Sequence, residues 1–337
     1  NGIGSDAFAL VWVKGELHGL NASGPAPKSI SCDAVKALGH DEMPAHGLVP
    51  VTVPGAPGAW AALSERFGKL PFEQLLAPAI ELAEKGFAVS PVASQLWRSA
   101  EKRYGQYETA EFKPWFSHFT PTGQAPKAGD VWRSPDMAKT LSEIASSKAD
   151  AFYQGNLADA MDVFSREHGG FLRKEDLAAY QPEWVDPISV RYKGHDIWEI
   201  PPNGSGLIVL QALGILESLG DESKDQEETL HRRIEATKLG YIDGLHYITE
   251  RSAMKPSVKQ MLSSNYLSQR ANLIGQEAID PIHGNPVKGG TVYLATADDE
   301  GNMVSFIQSN FEGFGSGIVV PGTGISLQNR GWSFSLD

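Results

Sequence analysis

Alternating hydrophobic and polar positions predict two short strands near the start of the chain, within residues 7–20 and on either side of Lys14-Gly15. From Ala59 onward the hydrophobic spacing becomes that of an amphipathic helix. The residues that this spacing places on one helix face are Trp60, Leu63 and Phe67. We therefore expect a strand pair followed by a helix that packs through its aromatic side.

Helical spacing continues through the next part of the chain. It covers residues 72–85, where Gly86 is expected as the C-terminal cap because glycine adopts the left-handed conformation that ends many helices. Residues 92–180 are also expected to be mostly helical, with a break rich in proline and glycine at 121–130.

A β-hairpin is predicted next, with strands at 188–192 and 196–200 and a turn over Lys193–His195. The apolar run 207–213 then predicts a helix, and the acidic segment 221–228 predicts a solvated loop. Helices are also expected at 231–248, 256–263 and 265–274. The hydrophobic residues of the first of these that we expect in the core are Ile234, Leu239, Ile242 and Leu245.

Charged residues of the helix at 231–248 include Glu235, Lys238 and Asp243. Charges three apart on a helix most often form a surface ion pair that contributes a few tenths of a kcal/mol. We therefore interpret these charges as a surface ion pair.

Strands and glycine turns replace helices from Gly289 onward. Residues 298–302 predict a hairpin turn that returns the chain through a second strand. Strands near the two ends of the chain can pair in one sheet, with helices packed on its faces, which gives an α+β fold.

Composition narrows the function classes. Hydrophobic residues make up 41% of the 337 positions, which predicts a globular core. The net charge of −12 argues against nucleic acid and against anionic membrane surfaces as partners. The single cysteine excludes an internal disulfide, none of the nine histidines falls in a close metal-ligand spacing, and no apolar run reaches the length of a membrane span. No metal or cofactor is expected.

Gly289-Gly290-Thr291 carries candidate nucleophile chemistry. A threonine hydroxyl is a weak nucleophile unless a base lies beside it, and cleavage of the peptide bond before Thr291 would free its own α-amine as that base. The glycines would allow the tight bend that such a cleavage needs. The structural alternative is an ordinary turn that leads into a strand.

Ser309 lies 18 residues after Thr291, on the returning strand of the predicted hairpin. It can therefore come close to Thr291 and offer it a hydroxyl partner, and Asn310 follows it directly. Glycine-dense bends and the polar run 328–330, which contains Asn329 and Arg330, come next. The structural alternative for this segment is a set of β-turns around a buried polar cluster.

Ser205, within Asn203-Gly204-Ser205-Gly206, lies between a predicted strand and a helix. The full nucleophile-elbow pattern is absent, so we interpret this serine as part of a glycine-rich helix start. No phosphate-binding glycine pattern is present either, which argues against a nucleotide site.

Together these residues resemble the γ-glutamyltranspeptidases, which are N-terminal-nucleophile hydrolases. The region from Thr291 to Phe334 is similar to the start of their small subunit, and the chain before it is similar to their large subunit. The stretches that carry the resemblance are 53–55, 76–83, 152–155, 169–172, 176–180, 201–206 and 234–238. They follow one another over nearly the whole chain.

The resemblance implies a four-layer αββα sandwich formed by self-cleavage of a precursor between Gly290 and Thr291. Residues 1–290 would be large-subunit-like and 291–337 the beginning of a small-subunit-like region, in one composite domain. It also implies that the Thr291 hydroxyl attacks a γ-glutamyl amide carbonyl, as in glutathione, with its own amine as base. Water or an acceptor amine then takes the acyl group from the acyl-enzyme.

Several positions differ from the family pattern. Thr291-Val292-Tyr293 stands where well-studied members have Thr-Thr-His, and Ser309 replaces a second threonine that steadies the nucleophile. Ser23 stands at the position of an arginine that binds the substrate α-carboxylate. The family's Asn, Gln and Asp that hold the amino-acid end correspond to Phe311, Arg330 and Ser333, and the family's Gly-Gly oxyanion pair is expected beyond Asp337.

The catalytic residues predicted are therefore Thr291 and Ser309. The predicted substrate-binding residues are Arg330, Asn310, Asn329, Ser333 and Ser23. Arg330 can bind a substrate carboxylate with both ends of its guanidinium.

Two other functions stay open. Ser333 stands in place of the family's Asp, and Arg330 is present where the family has Gln. Both differences also fit an acylase for glutaryl or cephalosporin-type side chains, which have a distal carboxylate but no α-amine. An unprocessed, non-catalytic relative is the other alternative. The expected partners are a small acyl amide and an acceptor amine or water.

The chain begins at Asn1 without Met or a signal-peptide pattern and ends in a strand-like alternation, so we expect further sequence at both ends. The absence of disulfides is compatible with the cytoplasm. A periplasmic or secreted location stays open, because a signal would lie ahead of Asn1.

Overall fold

The computed structural model of the protein describes residues 2–220, 225–279 and 291–336. Within them the helices are α1 Cys32–Ala37, α2 Ala56–Phe67, α3 Phe72–Lys85, α4 Pro91–Tyr104, α5 Lys113–Phe119, α6 Pro135–Ser147, α7 Asp150–Tyr153, α8 Asn156–Glu167, α9 Lys174–Ala178, α10 Gly206–Ser218, α11 Gln226–Tyr247, α12 Val258–Met261 and α13 Ser264–Ala271. The strands are β1 Asp6–Val13, β2 Glu16–Ala22, β3 Phe87–Ala88, β4 Val131–Trp132, β5 Glu183–Val185, β6 Ile188–Tyr192, β7 His195–Glu199, β8 Thr291–Ala297 and β9 Met303–Ser309. Short 3-10 helices cover Ala110–Phe112 and Arg330–Ser333.

Strands from both ends of the chain pair in one five-stranded sheet of order β5-β2-β1-β9-β8, as the sequence predicted. β1 pairs antiparallel with both β2 and β9, and β9 pairs antiparallel with β8. The turn between β8 and β9 is the predicted one, closed by the Asp298 N–H to the Asn302 carbonyl at 3.1 Å. This order places the two strands after residue 290 against the first strand of the chain.

Helix α2 covers one face of this sheet. The hydrophobic residues that meet there are the buried Ala7, Ala9, Val11, Leu20, Ala22, Ala56, Ala59 and Phe306 and the partly buried Trp60, Leu63 and Phe67. The predicted aromatic face of the helix is therefore confirmed, although α2 begins at Ala56, three residues earlier than expected. Small residues on β1 and β2 let the helix lie close to the sheet.

The largest hydrophobic core lies beside the sheet, among helices α3 to α9 and residues 318–327. Helix α3 ends at the predicted glycine cap, Gly86, with φ of 86°. The 92–180 region is mostly helical, as predicted, with β4 after the proline- and glycine-rich break.

The hairpin turn is one residue shorter than predicted. His195 pairs with Tyr192, so the turn consists of Lys193 and Gly194 alone. Both have positive φ, 47° and 81°. Two consecutive residues with positive φ are typical of the turn whose twist matches that of antiparallel strands.

Helix α11 differs most from the sequence prediction. It begins at Gln226, inside the segment expected to be a loop, and residues 221–224 lie outside the described residues. Ile234 and Leu245, expected in the core, are 48% and 59% exposed, whereas Glu235 and Asp243 are buried. The reason is that α11 packs on α10 through small residues: a side chain added at Gly240 would lie 2.8 Å from the Ile208 carbonyl oxygen.

The expected ion pair between Glu235 and Lys238 forms, but the expectation that these charges lie on the surface is wrong for Glu235 and Asp243, which are buried. Glu235 accepts hydrogen bonds from Lys238 at 2.9 Å and from the Ile279 N–H at 2.9 Å. Asp243 accepts from Tyr266 at 2.8 Å and forms an ion pair with Arg270 at 2.8 Å. Each buried carboxylate is thus compensated by donors from neighbouring segments.

Candidate active site

Thr291 and Ser309 face each other across the β8–β9 ladder. They are directly opposed in the register, and the Thr291 hydroxyl donates to Ser309 Oγ at 3.2 Å. Ser309 Oγ also accepts the Phe311 backbone N–H at 2.9 Å. The predicted nucleophile and its hydroxyl partner are therefore within hydrogen-bonding distance, and Thr291 is exposed while Ser309 is buried.

The register continues this row across the sheet. Ser309 is opposite Asp6 on β1, and Ala7 is opposite Ala22, so Ser23 follows β2 at the same edge. Neighbouring strands lie about 4.8 Å apart, which places Thr291 and Asp6 about 10 Å apart at this end of the sheet. Residues from both ends of the amino-acid sequence thus lie at the same end of the strands in this sheet.

Arg330 reaches this edge from the turn after residue 327. Its Nε donates to Asp6 Oδ2 at 3.1 Å, and its guanidinium lies over the Phe311 ring, 4.8 Å from the ring centre. Among the described residues, the Arg330 side chain donates its hydrogen bond to the Asp6 carboxylate, and it does so through Nε. The terminal nitrogens are therefore available for a ligand carboxylate, with the aromatic ring fixing the plane of the guanidinium.

Asp6 was not among the predicted site residues. It is fully buried, and it also accepts from Gln328 Nε2 at 2.8 Å and from the Gly24 N–H at 3.1 Å. Burial raises the pKa of the Asp6 carboxyl above its usual range, against the opposing effect of the Arg330 charge. The available sequence signal is an acidic residue at the start of an otherwise apolar strand, which needs a cationic partner when buried.

Ser23 lies in a polar network of its own. Its hydroxyl donates to Asn21 Oδ1 at 2.8 Å and accepts from Asn203 Nδ2 at 2.9 Å, and Asn21 also donates to Asn203 at 2.9 Å. The next residue, Gly24, is the one whose N–H contacts Asp6. The glycine-rich segment around Ser205, interpreted as a helix start, thus contributes Asn203 to the sheet edge, and α10 does begin at Gly206.

The remaining predicted substrate-binding residues surround the turn after β9. Asn310 is buried, and its Oδ1 accepts the Gly2 N–H at 3.2 Å. Asn329 is fully buried and holds the chain from inside: its Nδ2 donates to the Ala45 carbonyl at 2.8 Å, and its Oδ1 accepts the Glu312 N–H. The Ser333 hydroxyl is exposed and donates to the Arg330 carbonyl at 2.9 Å.

Glu312 and His46 were also missed. The Glu312 carboxylate contacts His46 Nε2 at 3.2 Å and Arg103 Nη1 at 3.3 Å. Burial acts to raise the pKa of the Glu312 carboxyl, but His46 and the Arg103 charge outweigh it and hold the pKa below its ordinary value. The partners come from distant parts of the chain, so the local sequence gives no signal for this cluster.

Gly290, the other half of the predicted cleavage site, lies outside the described residues, as does Gly289. Within the residues that the structure describes, no helix is long and apolar enough to cross a membrane. In the same part of the chain, no group of three or more His, Cys, Asp or Glu side chains is arranged to hold a metal ion.

Comparison with known proteins places this site in context. The cephalosporin acylase from Bacillus halodurans is 55% identical, with a TM-score of 0.95 over 100% of this chain and 62% of its own. Two relatives are 33% and 34% identical over 100% of the chain: the glutathione hydrolase-like YwrD proenzyme of Bacillus subtilis and the oxamate amidohydrolase proenzyme of Klebsiella pneumoniae. The chain covers 63% and 64% of these two, so it spans less than two thirds of each of these relatives.

The predicted α+β class and N-terminal-nucleophile hydrolase fold, an αββα sandwich, are confirmed by the structural similarity. The family model described as gamma-glutamyltranspeptidase matches residues 1–337. Since that match covers every residue, the chain belongs to the gamma-glutamyltranspeptidase family.

Proposed function

We propose that this chain is a self-processing amidohydrolase or acyltransferase that is cut between Gly290 and Thr291 and then uses Thr291 as an N-terminal nucleophile. The observation that carries the proposal is the 3.2 Å hydrogen bond between Thr291 and Ser309 at the sheet edge. A hydroxyl held by a second hydroxyl, with an α-amine released beside it, has the nucleophile and base that acyl transfer needs.

The reaction has two steps. The Thr291 Oγ attacks the amide carbonyl while its own α-amine takes the hydroxyl proton, and the amine part of the substrate leaves with that proton. Water or an acceptor amine then attacks the resulting ester and restores the threonine. Ser309 orients the Thr291 hydroxyl, and Phe311 N–H holds Ser309 in turn.

The first candidate substrates are γ-glutamyl amides of the glutathione type, as in the glutathione hydrolase relatives. Arg330 supports this choice because its guanidinium lies on Phe311, whose N–H contacts Ser309. A carboxylate at the far end of the acyl group can bind there while the carbonyl lies at Thr291.

A second candidate is an acylase for glutaryl or cephalosporin-type side chains. The Asp6 carboxylate accepts hydrogen bonds from Arg330, Gln328 and Gly24. The Glu312 carboxylate is hydrogen-bonded to His46, Arg103 and Asn329. These two carboxylates are thus engaged by other groups among the described residues, and Ser333 stands at the family's Asp position. An acyl group with a distal carboxylate and no α-ammonium fits this charge pattern, and so does the 55% identity to a cephalosporin acylase.

Intact mass tests the processing step. The purified protein should convert from one chain into two pieces that separate between Gly290 and Thr291, and T291A should remain one chain without turnover. Cleavage of T291A at the same bond would refute the assignment of the nucleophile. A wild-type protein that stays intact and inactive after long incubation would support the non-catalytic alternative.

Paired anilides test the acyl group. Hydrolysis of γ-glutamyl and glutaryl anilides by the processed protein should favour the γ-glutamyl compound if the first candidate is right. A higher kcat/KM for the glutaryl compound supports the acylase.

A further inference from the structure

The Glu312 side chain is the centre of a buried cluster beside the candidate active site. Glu312 is 8% exposed, and its two carboxylate oxygens meet His46, Arg103 and Asn329 at 3.2, 3.3 and 3.4 Å. An ionised carboxylate only accepts, so His46 Nε2 donates to Glu312, and His46 Nδ1 shares a hydrogen bond of 2.8 Å with the Tyr107 hydroxyl. The cluster is therefore a chain of hydrogen bonds that ends at a tyrosine.

The backbone of the same residue is held as well. The Glu312 N–H donates to Asn329 Oδ1 at 3.2 Å, and the Glu312 carbonyl accepts the Gly315 N–H at 2.9 Å. The Tyr104 hydroxyl donates towards the Gly313 and Gly315 carbonyls at 3.2 and 3.0 Å. Both the side chain and the backbone thus fix residues 312–315.

This anchoring acts on Phe311, which lies between Glu312 and the predicted catalytic pair. Phe311 has φ of 76°, a left-handed conformation that a bulky residue adopts only when its surroundings enforce it. In this conformation the Phe311 N–H donates to Ser309 Oγ and the ring lies beneath Arg330. One strained residue therefore connects the hydroxyl partner of Thr291 to the cation beside it.

We propose that Glu312 is a positioning residue, which holds Phe311 so that its N–H orients Ser309 and its ring supports Arg330. The role in turnover rests on the proposed function above. Glu312 acts through Phe311 and does not itself contact the reacting atoms.

A double-mutant cycle tests this role in the full chain. E312Q keeps the size of the side chain but removes the charge that Arg103 and His46 bind. We expect kcat of the processed enzyme to fall about 3- to 10-fold, the effect of losing one hydrogen bond at the nucleophile. In the S309A background the same substitution should change kcat less than about 2-fold, because the effects of substitutions at coupled residues do not add.

E101Q is the matched control. Glu101 lies on the same helix as Arg103, and its carboxylate accepts the Ala125 N–H at 3.1 Å, away from residues 310–316. E101Q should leave kcat unchanged. Equal losses for E312Q in the wild-type and S309A backgrounds would overturn the proposal, since they would indicate a general structural effect.

Hydrogen–deuterium exchange gives a readout that does not need activity. In a T291A background, peptides covering 310–316 should exchange faster in E312Q than in E101Q. If T291A still turns over substrate, the proposed function fails. The positioning role is judged separately: faster exchange in E312Q than in E101Q supports it, and equal exchange in the two variants overturns it. Should E312Q not fold, R103Q, which removes the 3.3 Å contact with Glu312, takes its place with the same expectations.

Discussion

Asp6 and Arg330 form an ion pair between the first strand and the 3-10 helix Arg330–Ser333, with Nε 3.1 Å from Oδ2. The Asp6 side chain is fully buried and that of Arg330 is 29% exposed. The carboxylate therefore fixes the Nε side of the guanidinium, and the Phe311 ring fixes its plane. A cation oriented in this way can select acyl groups by charge.

The first prediction concerns that selection. R330K keeps a positive charge for Asp6 but loses the planar fork that binds a carboxylate through two hydrogen bonds. We expect KM for an acyl donor with a distal carboxylate to rise about 10-fold, with kcat changed less, because a charge-assisted hydrogen bond contributes roughly 1.5–3 kcal/mol. Steady-state kinetics on glutaryl or γ-glutamyl anilide measure this.

A neutral acyl anilide of the same length is the control substrate. Its KM should be the same in wild type and R330K. An equal rise for the neutral and the charged donor would mean that Arg330 shapes the site but does not bind the carboxylate.

The second prediction concerns Ser309. S309A removes the hydroxyl that holds Thr291 and should lower kcat about 3- to 10-fold, since one hydrogen bond contributes roughly 0.5–1.5 kcal/mol net. S309T restores a hydroxyl and should return most of the activity. The measurement is kcat normalised to the fraction of chain that has been processed.

Ser305 provides the matched control for this substitution. It lies on the same face of β9, and its hydroxyl contacts the Tyr293 hydroxyl at 3.3 Å. S305A should leave kcat unchanged. If S305A is as slow as S309A, the loss reflects the strand and not the hydroxyl beside Thr291.

Local patterns were enough to predict β1, β2, the two hairpins β6–β7 and β8–β9 and the main helices, but not the short strands β3, β4 and β5. Alternation gave β1, β2 and the β8–β9 hairpin, whose register brings Ser309 opposite Thr291. The pairing of β1 with β9 also followed from their position in an α+β layered fold. The strands and the β8–β9 hairpin depend on short sequence spacing, which is why local patterns predict them, whereas the β1–β9 pairing joins opposite ends of the chain and followed only from the expected fold class.

The partners of buried charges could not be predicted in this way. Asp6 meets Arg330 across 324 positions, and Glu312 meets His46 across 266. The prediction for helix α11 was wrong in part for a related reason. Leu239 is buried as expected, but the small residues Ala236, Gly240 and Gly244 are buried beside it, whereas Ile234 and Leu245 are exposed. Close approach between helices depends on the partner surface, which the sequence of one helix does not contain.

The third prediction concerns the buried carboxylate on α11. E235A removes the acceptor of the Ile279 N–H and of Lys238, and leaving these partly buried donors unsatisfied costs at most about 1–3 kcal/mol. We therefore expect a lower free energy of unfolding in urea denaturation. The matched control is E81A, since Glu81 forms an exposed ion pair with Lys85 and its loss should not move the urea midpoint. Equal midpoints for E235A and wild type would show that the Ile279 contact is not stabilising.

The fourth prediction is a pH dependence of stability that originates at Glu312. The pKa of its carboxyl lies below the ordinary 4.5 in the folded protein, so the ionised form is bound more favourably in the folded than in the unfolded state. Its contribution is fully present above pH 4.5 and is lost as the pH falls through the lower folded pKa. E312Q cannot ionise, so the difference in unfolding free energy between wild type and E312Q should be largest above this value and shrink below it.

Urea denaturation of wild type, E312Q and E101Q at a series of acidic pH values measures that difference. E101Q is the control, because the Glu101 carboxylate accepts a backbone N–H from Ala125, whereas the Glu312 carboxylate contacts the His46 and Arg103 side chains. A difference between wild type and E312Q that stays constant with pH would mean that the Glu312 charge does not stabilise the fold. The hydrogen bonds of the neutral side chain would then be enough to hold Phe311 beside Ser309.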